Sequence, residues 1–156
     1  MKIAIIGAGA MGSLFGAYLK LAGHDITLID RGSWSVKAIN QNGLKIEGLR
    51  GEFLLKIPAT IDSRSIGAPD LVIIMVKSFD TARAVGQHAH LFGPDTPVLT
   101  MQNGIGNIEE IEKVLPRQNI IAGTTTMSAF VKAPGVVLHT GEGKTLKEIP
   151  IPDSVA

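Results

Sequence analysis

Glycines at positions 7, 9 and 12, set between an apolar run and an amphipathic stretch, constrain the fold of this 156-residue chain more than any other feature. Ile3-Ala4-Ile5-Ile6 reads as a buried strand, and Met11, Leu14, Phe15, Tyr18, Leu19 and Ala22 follow at helical spacing. Strand, glycine turn, helix is the order of a dinucleotide-binding turn. In such a turn the first glycine allows the sharp reversal. The second lets the backbone approach a pyrophosphate, and the third lets the helix press on its strand. Amides at the helix start have no intrahelical partners and carry the positive end of the dipole, which suits that anion. Gly16, four residues after Gly12, extends the small face. A bare G-x-G-x-x-G matches many tight connections; the flanking strand and helix make this one specific.

The first helix is expected to close near Gly23, and Ile26-Thr27-Leu28-Ile29 to form the second strand. That strand runs into Asp30-Arg31-Gly32, where the fold presents a residue to the adenosine ribose. A carboxylate there favours free hydroxyls, whereas an arginine accommodates a 2′-phosphate. Both residue types are present. Ser33 to Gln41 reads as a short helix capped by Ser33, with Trp34 assigned to packing. The runs 43–47 and 52–57 about Gly48-Leu49-Arg50-Gly51 suggest a hairpin inserted into the β-α-β unit. Leu71 to Val76 is a continuous apolar run of the kind a parallel strand covered on both faces requires, and it ends in Lys77-Ser78. Thr81 to Leu91 reads as a helix on which His88 and His90, two apart, would not share a face, so no metal site is expected. Pro97 to Met101 is another strand, ending in Gln102-Asn103-Gly104; Asn107 to Leu115 reads as a helix capped by Asn107. Asn119 to Gly123 leads into a threonine run from Thr124, and 135–139 reads as a last strand.

The length suits one domain with an independent core. A formal net charge of +1 with 19% charged residues offers no nucleic-acid footprint, and the absence of cysteine excludes disulfides and thiolate metal sites. The longest apolar run, Leu71 to Val76, is far short of a membrane span, so a cytoplasmic protein with no membrane or nucleic-acid partner is expected. The fold class expected is α/β, a Rossmann-like, doubly wound and mostly parallel sheet in a single domain.

Each strand candidate is followed at its carboxyl end by small or polar residues: the glycine turn, Asp30-Arg31, Lys77-Ser78, Gln102-Asn103-Gly104 and the threonines from Thr124. In an open parallel sheet ligands bind outside those ends, so the groups should converge on one crevice. Lys77 could reach a ribose hydroxyl, a phosphate or a carbonyl substrate. Asn103 offers a donor and an acceptor near the place of a nicotinamide.

These residues, with Ala38-Ile39 to Gly43-Leu44, Val76 to Thr81, Gln102 to Asn107, Gly123 to Thr126 and His139 to Gly143, resemble the ketopantoate reductase (2-dehydropantoate 2-reductase) family from Met1 to about Thr145. The resemblance implies NADPH-dependent reduction of ketopantoate to pantoate on the way to pantothenate and coenzyme A. It implies that Gly7, Ala8, Gly9, Ala10, Met11 and Gly12 hold the pyrophosphate and Arg31 the 2′-phosphate. Lys77, Asn103 and the backbone near Ala129 would hold the nicotinamide half, with Asn103 also touching the 2-oxoacid substrate.

Asp30 stands where the family usually has an apolar or small residue, and a carboxylate beside a 2′-phosphate is repulsive. NADP is therefore the first expectation and NAD the second. Residues 1–145 are expected to form the dinucleotide-binding domain and 146–156, with Pro150 and Pro152, a divergent tail. The family's C-terminal helical domain, which supplies the lysine that polarises the ketone, is expected to be absent, leaving no catalytic residue in this chain. Rival expectations are a non-catalytic NAD(P)-binding sensor or interaction module, with a homodimer formed through an exposed sheet face, and the N-terminal half of another 2-oxoacid or hydroxyacid dehydrogenase.

Overall fold

A computed structural model describes residues 1–143; the expected tail over 146–156 lies outside them. The strands are β1 Lys2–Ile6, β2 Asp25–Ile29, β3 Leu44–Gly48, β4 Phe53–Leu55, β5 Ala59–Thr60, β6 Leu71–Ile74, β7 Val98–Thr100, β8 Ile120–Ala122, β9 Ser128–Ala133 and β10 Val136–Gly141. The helices are α1 Ala10–Leu21, α2 Ser33–Asn42, α3 Thr81–Gln87 and α4 Asn107–Glu112.

Six strands form one sheet in the order β5-β2-β1-β6-β7-β8, every neighbouring pair parallel. The order turns outward in opposite directions from β1 and β6, which makes their junction the switch point of a doubly wound fold. Alternation along β1 divides the core. Ile3 and Ile5 pack with Leu14, Ala17, Ile26, Leu28 and Ile73, whereas Ala4 and Ile6 pack with Val72, Ile74, Val85, Val98 and Ile111. The continuous run from Leu71 is therefore buried on both faces, as its composition requires.

A second sheet, β4-β3-β10-β9, was not legible in the sequence. The expected hairpin is present as antiparallel β3 and β4, but β10 joins β3 in parallel and β9 pairs antiparallel with β10. This sheet lies against the outer side of α1, and Leu44, Ile46 and Val137 enter the same apolar cluster as Ile3 and Ile5. Tyr18 on α1 bonds His139 Nδ1 on β10 at 2.7 Å, and His139 Nε2 lies 3.0 Å from the Gly141 carbonyl. The carbonyl can only accept, so Nε2 carries the hydrogen and, in a neutral ring, Nδ1 accepts from the tyrosine hydroxyl.

Several local expectations are corrected. Ser33 begins α2 but does not cap it; Gly32 is the N-cap, and its amide donates to Asp30 Oδ1 at 2.8 Å. Trp34 is 66% exposed rather than packed. It stands two residues before Val36, about 200° around the helix from the buried face that Val36 and Ile39 form. The helix from Thr81 ends at Gln87, not Leu91, and Asn107 begins α4 behind Gly106 instead of capping it. Gly106 takes φ +91°, which frees the Asn107 side chain to donate to the Asn103 and Gly104 carbonyls, each at 3.2 Å.

Candidate functional site

A crevice of about 530 Å³ opens beyond the carboxyl ends of β1, β2, β6 and β7, a volume within the usual range for small-molecule sites. Its floor is the glycine turn. Gly7 takes φ +105°, and a Cβ there would come within 2.8 Å of the Met75 carbonyl carbon and the Val76 nitrogen. A Cβ on Gly12 would overlap the Gly7 carbonyl oxygen, and one on Gly16 would reach Leu28 Cδ2 at 2.9 Å. These glycines let the helix seat. Gly9 differs: φ is −70° and a Cβ would meet nothing within 4 Å, so its missing side chain leaves open space over the turn. A bare backbone at the start of a twelve-residue helix, facing a crevice, fits a pyrophosphate.

Among the residues expected at the site, Gly7, Gly9, Ala10, Met11, Arg31, Lys77, Asn103 and Ala129 line this crevice. Ala8 and Gly12 are buried beneath it. The threonine run is not among the crevice-lining residues: Thr125 Oγ1 accepts from the Met127 amide, and Gly143 donates to the Thr126 carbonyl. The crevice is lined on that side by Ala129 on β9, a strand the sequence did not reveal.

Asp30 and Arg31 part company. Asp30 Oδ2 accepts the Ala8 amide at 2.9 Å while Oδ1 accepts the Gly32 amide, so one carboxylate clasps the glycine turn to the turn after β2. Arg31 extends toward α3, with Nη1 3.3 Å from Asp80 Oδ1, and Arg83 Nη2 approaches the same oxygen at 2.6 Å. Asp80 and Arg83 also line the crevice, and nothing in their spacing marked them beforehand.

A buried polar chain sets the far side. Gln102 Nε2 donates to the Val76 carbonyl at 2.7 Å and to Thr81 Oγ1 at 2.9 Å, and its Oε1 accepts from Thr100. Thr81 in turn donates to Asn107. These bonds tie the ends of β6 and β7 to α3 and α4 and so hold Lys77 and Asn103 at one rim. Among the described residues no buried side-chain nitrogen or oxygen lacks a partner.

His88 and His90, expected on different faces of a helix, converge because α3 stops before them. Ser63 Oγ lies 2.6 Å from His88 Nδ1 and 3.1 Å from His90 Nε2. Burial, with His90 beside it, pushes His88 below the ordinary histidine range, against an opposing pull from Asp62.

The model of the family described as ketopantoate reductase PanE/ApbA matches residues 3–148. A 2-dehydropantoate 2-reductase of Pyrococcus horikoshii is 47% identical over 147 residues, 94% of this chain and 46% of that protein. Among solved structures, D-mandelate dehydrogenase with NADH and anilino(oxo)acetate superposes with a TM-score of 0.86 at 38% identity, covering 90% of this chain and 46% of that one. A PanE/ApbA family ketopantoate reductase from Ralstonia eutropha JMP134 gives a TM-score of 0.85 at 35% identity, covering 92% and 47%. The chain thus spans about half the length of the relatives it matches. Among the described residues no helix is long and apolar enough to cross a membrane.

Proposed function

Since the chain belongs to the ketopantoate reductase (PanE/ApbA) family, we propose that it is the dinucleotide-binding half of an NADPH-dependent reductase of 2-dehydropantoate. The observation that carries the reading is the switch-point crevice, open over Gly9 and bordered by Arg31, Lys77, Asn103 and Ala129. In such a reductase the dinucleotide supplies hydride to the ketone carbon. This chain's part is to bind and orient. The amides of Ala10 and Met11 face the pyrophosphate, Arg31 the 2′-phosphate, and Lys77 and Asn103 the ribose, the carboxamide and the near edge of the substrate. Residues 1–145 act as the binding unit. Polarising the ketone takes a positioned general acid, worth orders of magnitude in rate, and the resemblance assigns that lysine to the family's C-terminal domain.

A second reading is favoured by Asp30, whose carboxylate stands at the ribose end of the crevice, and by the similarity to a D-mandelate dehydrogenase described with NADH. Here NADH is the cofactor and a 2-hydroxyacid the partner. Thermal unfolding of the chain with each dinucleotide separates the two. Ligand at a hundredfold excess over its dissociation constant adds about 2.7 kcal/mol, a rise of roughly 5 to 10 °C for a domain of this size. A rise with NADPH alone supports the first reading and one with NADH alone the second; no rise with either removes both.

A further inference from the structure

Resting on the dinucleotide reading, we infer that Arg83 is a second determinant of cofactor choice, forming with Arg31 a two-guanidinium seat for the 2′-phosphate that Asp80 occupies until the phosphate arrives. The two arginines come from different elements, the turn after β2 and the first turn of α3, and line the same crevice. Both point a guanidinium nitrogen at one atom, Asp80 Oδ1, at 3.3 and 2.6 Å. A single carboxylate oxygen bridging two forked cations fills a place that a phosphate, with three acceptor oxygens and nearly twice the charge, fills better.

Leaving Asp80 is easy for both arginines. Their side chains are 65% and 57% exposed, and ion pairs so open to water hold their partners weakly. Asp80 itself is only 16% exposed and sits on a tight turn, its amide bonded to the Lys77 carbonyl, so the carboxylate stays in place as the cations turn from it. Asp30, the other carboxylate at this end, is held by the Ala8 and Gly32 amides and takes no guanidinium. The seat is therefore two cations that can turn away from one fixed anion, and Asp80 weakens NADPH binding without bearing on NADH, which lacks the phosphate.

Isothermal titration of the 156-residue chain with NADPH, NADH and adenosine 2′,5′-bisphosphate tests this directly. Arg83→Ala is expected to weaken NADPH and the bisphosphate about tenfold while NADH stays within about twofold, the difference one charge-assisted contact makes. Arg83→Lys recovers part of the loss, and Asp80→Asn tightens NADPH severalfold with NADH unchanged. Equal losses for both dinucleotides in Arg83→Ala, or no gain for NADPH in Asp80→Asn, overturn the inference. A parent chain that binds NADH but not NADPH overturns it while the dinucleotide reading stands. If neither dinucleotide binds but the bisphosphate does so through Arg83, the seat survives and the dinucleotide reading falls; if nothing binds, both fall.

Discussion

At the scale of single residues, the three glycines of the turn do different work, and substitution separates it. Gly12→Ala forces a methyl group into the Gly7 carbonyl oxygen, backbone that cannot give way, and should cost at least about 2 kcal/mol of stability in a denaturant titration. Gly9→Ala has φ −70° and empty space around its new methyl, so stability should hold within about 0.5 kcal/mol. Yet the methyl stands where the pyrophosphate would lie, and nucleotide binding measured on the same sample should fall sharply. A joint loss of stability and binding in Gly9→Ala would mean that the open space serves the fold and not a ligand. Position and spacing identified all three glycines and the expected role of each; that open space surrounds the Cβ position of Gly9 while Gly7 and Gly12 are hemmed in by backbone is a property of packing.

Among the elements, α3 shows how a tertiary contact overrides a helical pattern. Ala84, Val85, His88 and Leu91 keep helical spacing, but His88 adopts φ −109° and ψ 20° to bring its ring against Ser63, and the chain continues as a single tighter turn over Ala89–Leu91. The consequence is a pH dependence of known sign. His88 in the folded chain takes up a proton less readily than in the unfolded chain, where it titrates near 6.5. Its charge state therefore makes no demand on stability above that pH. Stability is lost as pH falls from about 6.5 toward the lower folded value, because the unfolded chain binds the proton first. Denaturant midpoints at pH 7 and pH 5 should differ, and His88→Gln should reduce that difference; an unchanged difference would assign the acid sensitivity elsewhere. Glu47 acts lower still. Held at about 2 by Lys132 and Lys45, it contributes above the ordinary carboxylate range and is lost only below about pH 4.5.

For the whole molecule, α1 is the shared layer between two sheets, and a core continuous through both implies one cooperative unit. Val137 on β10 belongs to the same apolar cluster as Ile3, Ile5 and Leu14. Val137→Ala should therefore destabilise the chain by about 1 to 3 kcal/mol and lower hydrogen-exchange protection in β1 and β6 as well as in β9 and β10. Protection lost only in the second sheet would make that sheet a separately unfolding layer. Much of the architecture was legible beforehand, for local reasons. Apolar runs set the parallel strands, glycine spacing set the turn, and polar residues after each run foretold where a crevice would open. Chemistry carried by residue type and short spacing was written into the sequence alone, including the family to which the chain belongs. Tertiary structure alone decided that β10 crosses to β3, that Asp30 clasps two turns and that Asp80 stands between two arginines. Each depends on at least one partner far along the chain: Ala8 lies 22 residues from Asp30, Arg31 lies 49 from Asp80, and Val136 on β10 pairs with Lys45 on β3. No local pattern encodes a distance that only the folded chain makes short.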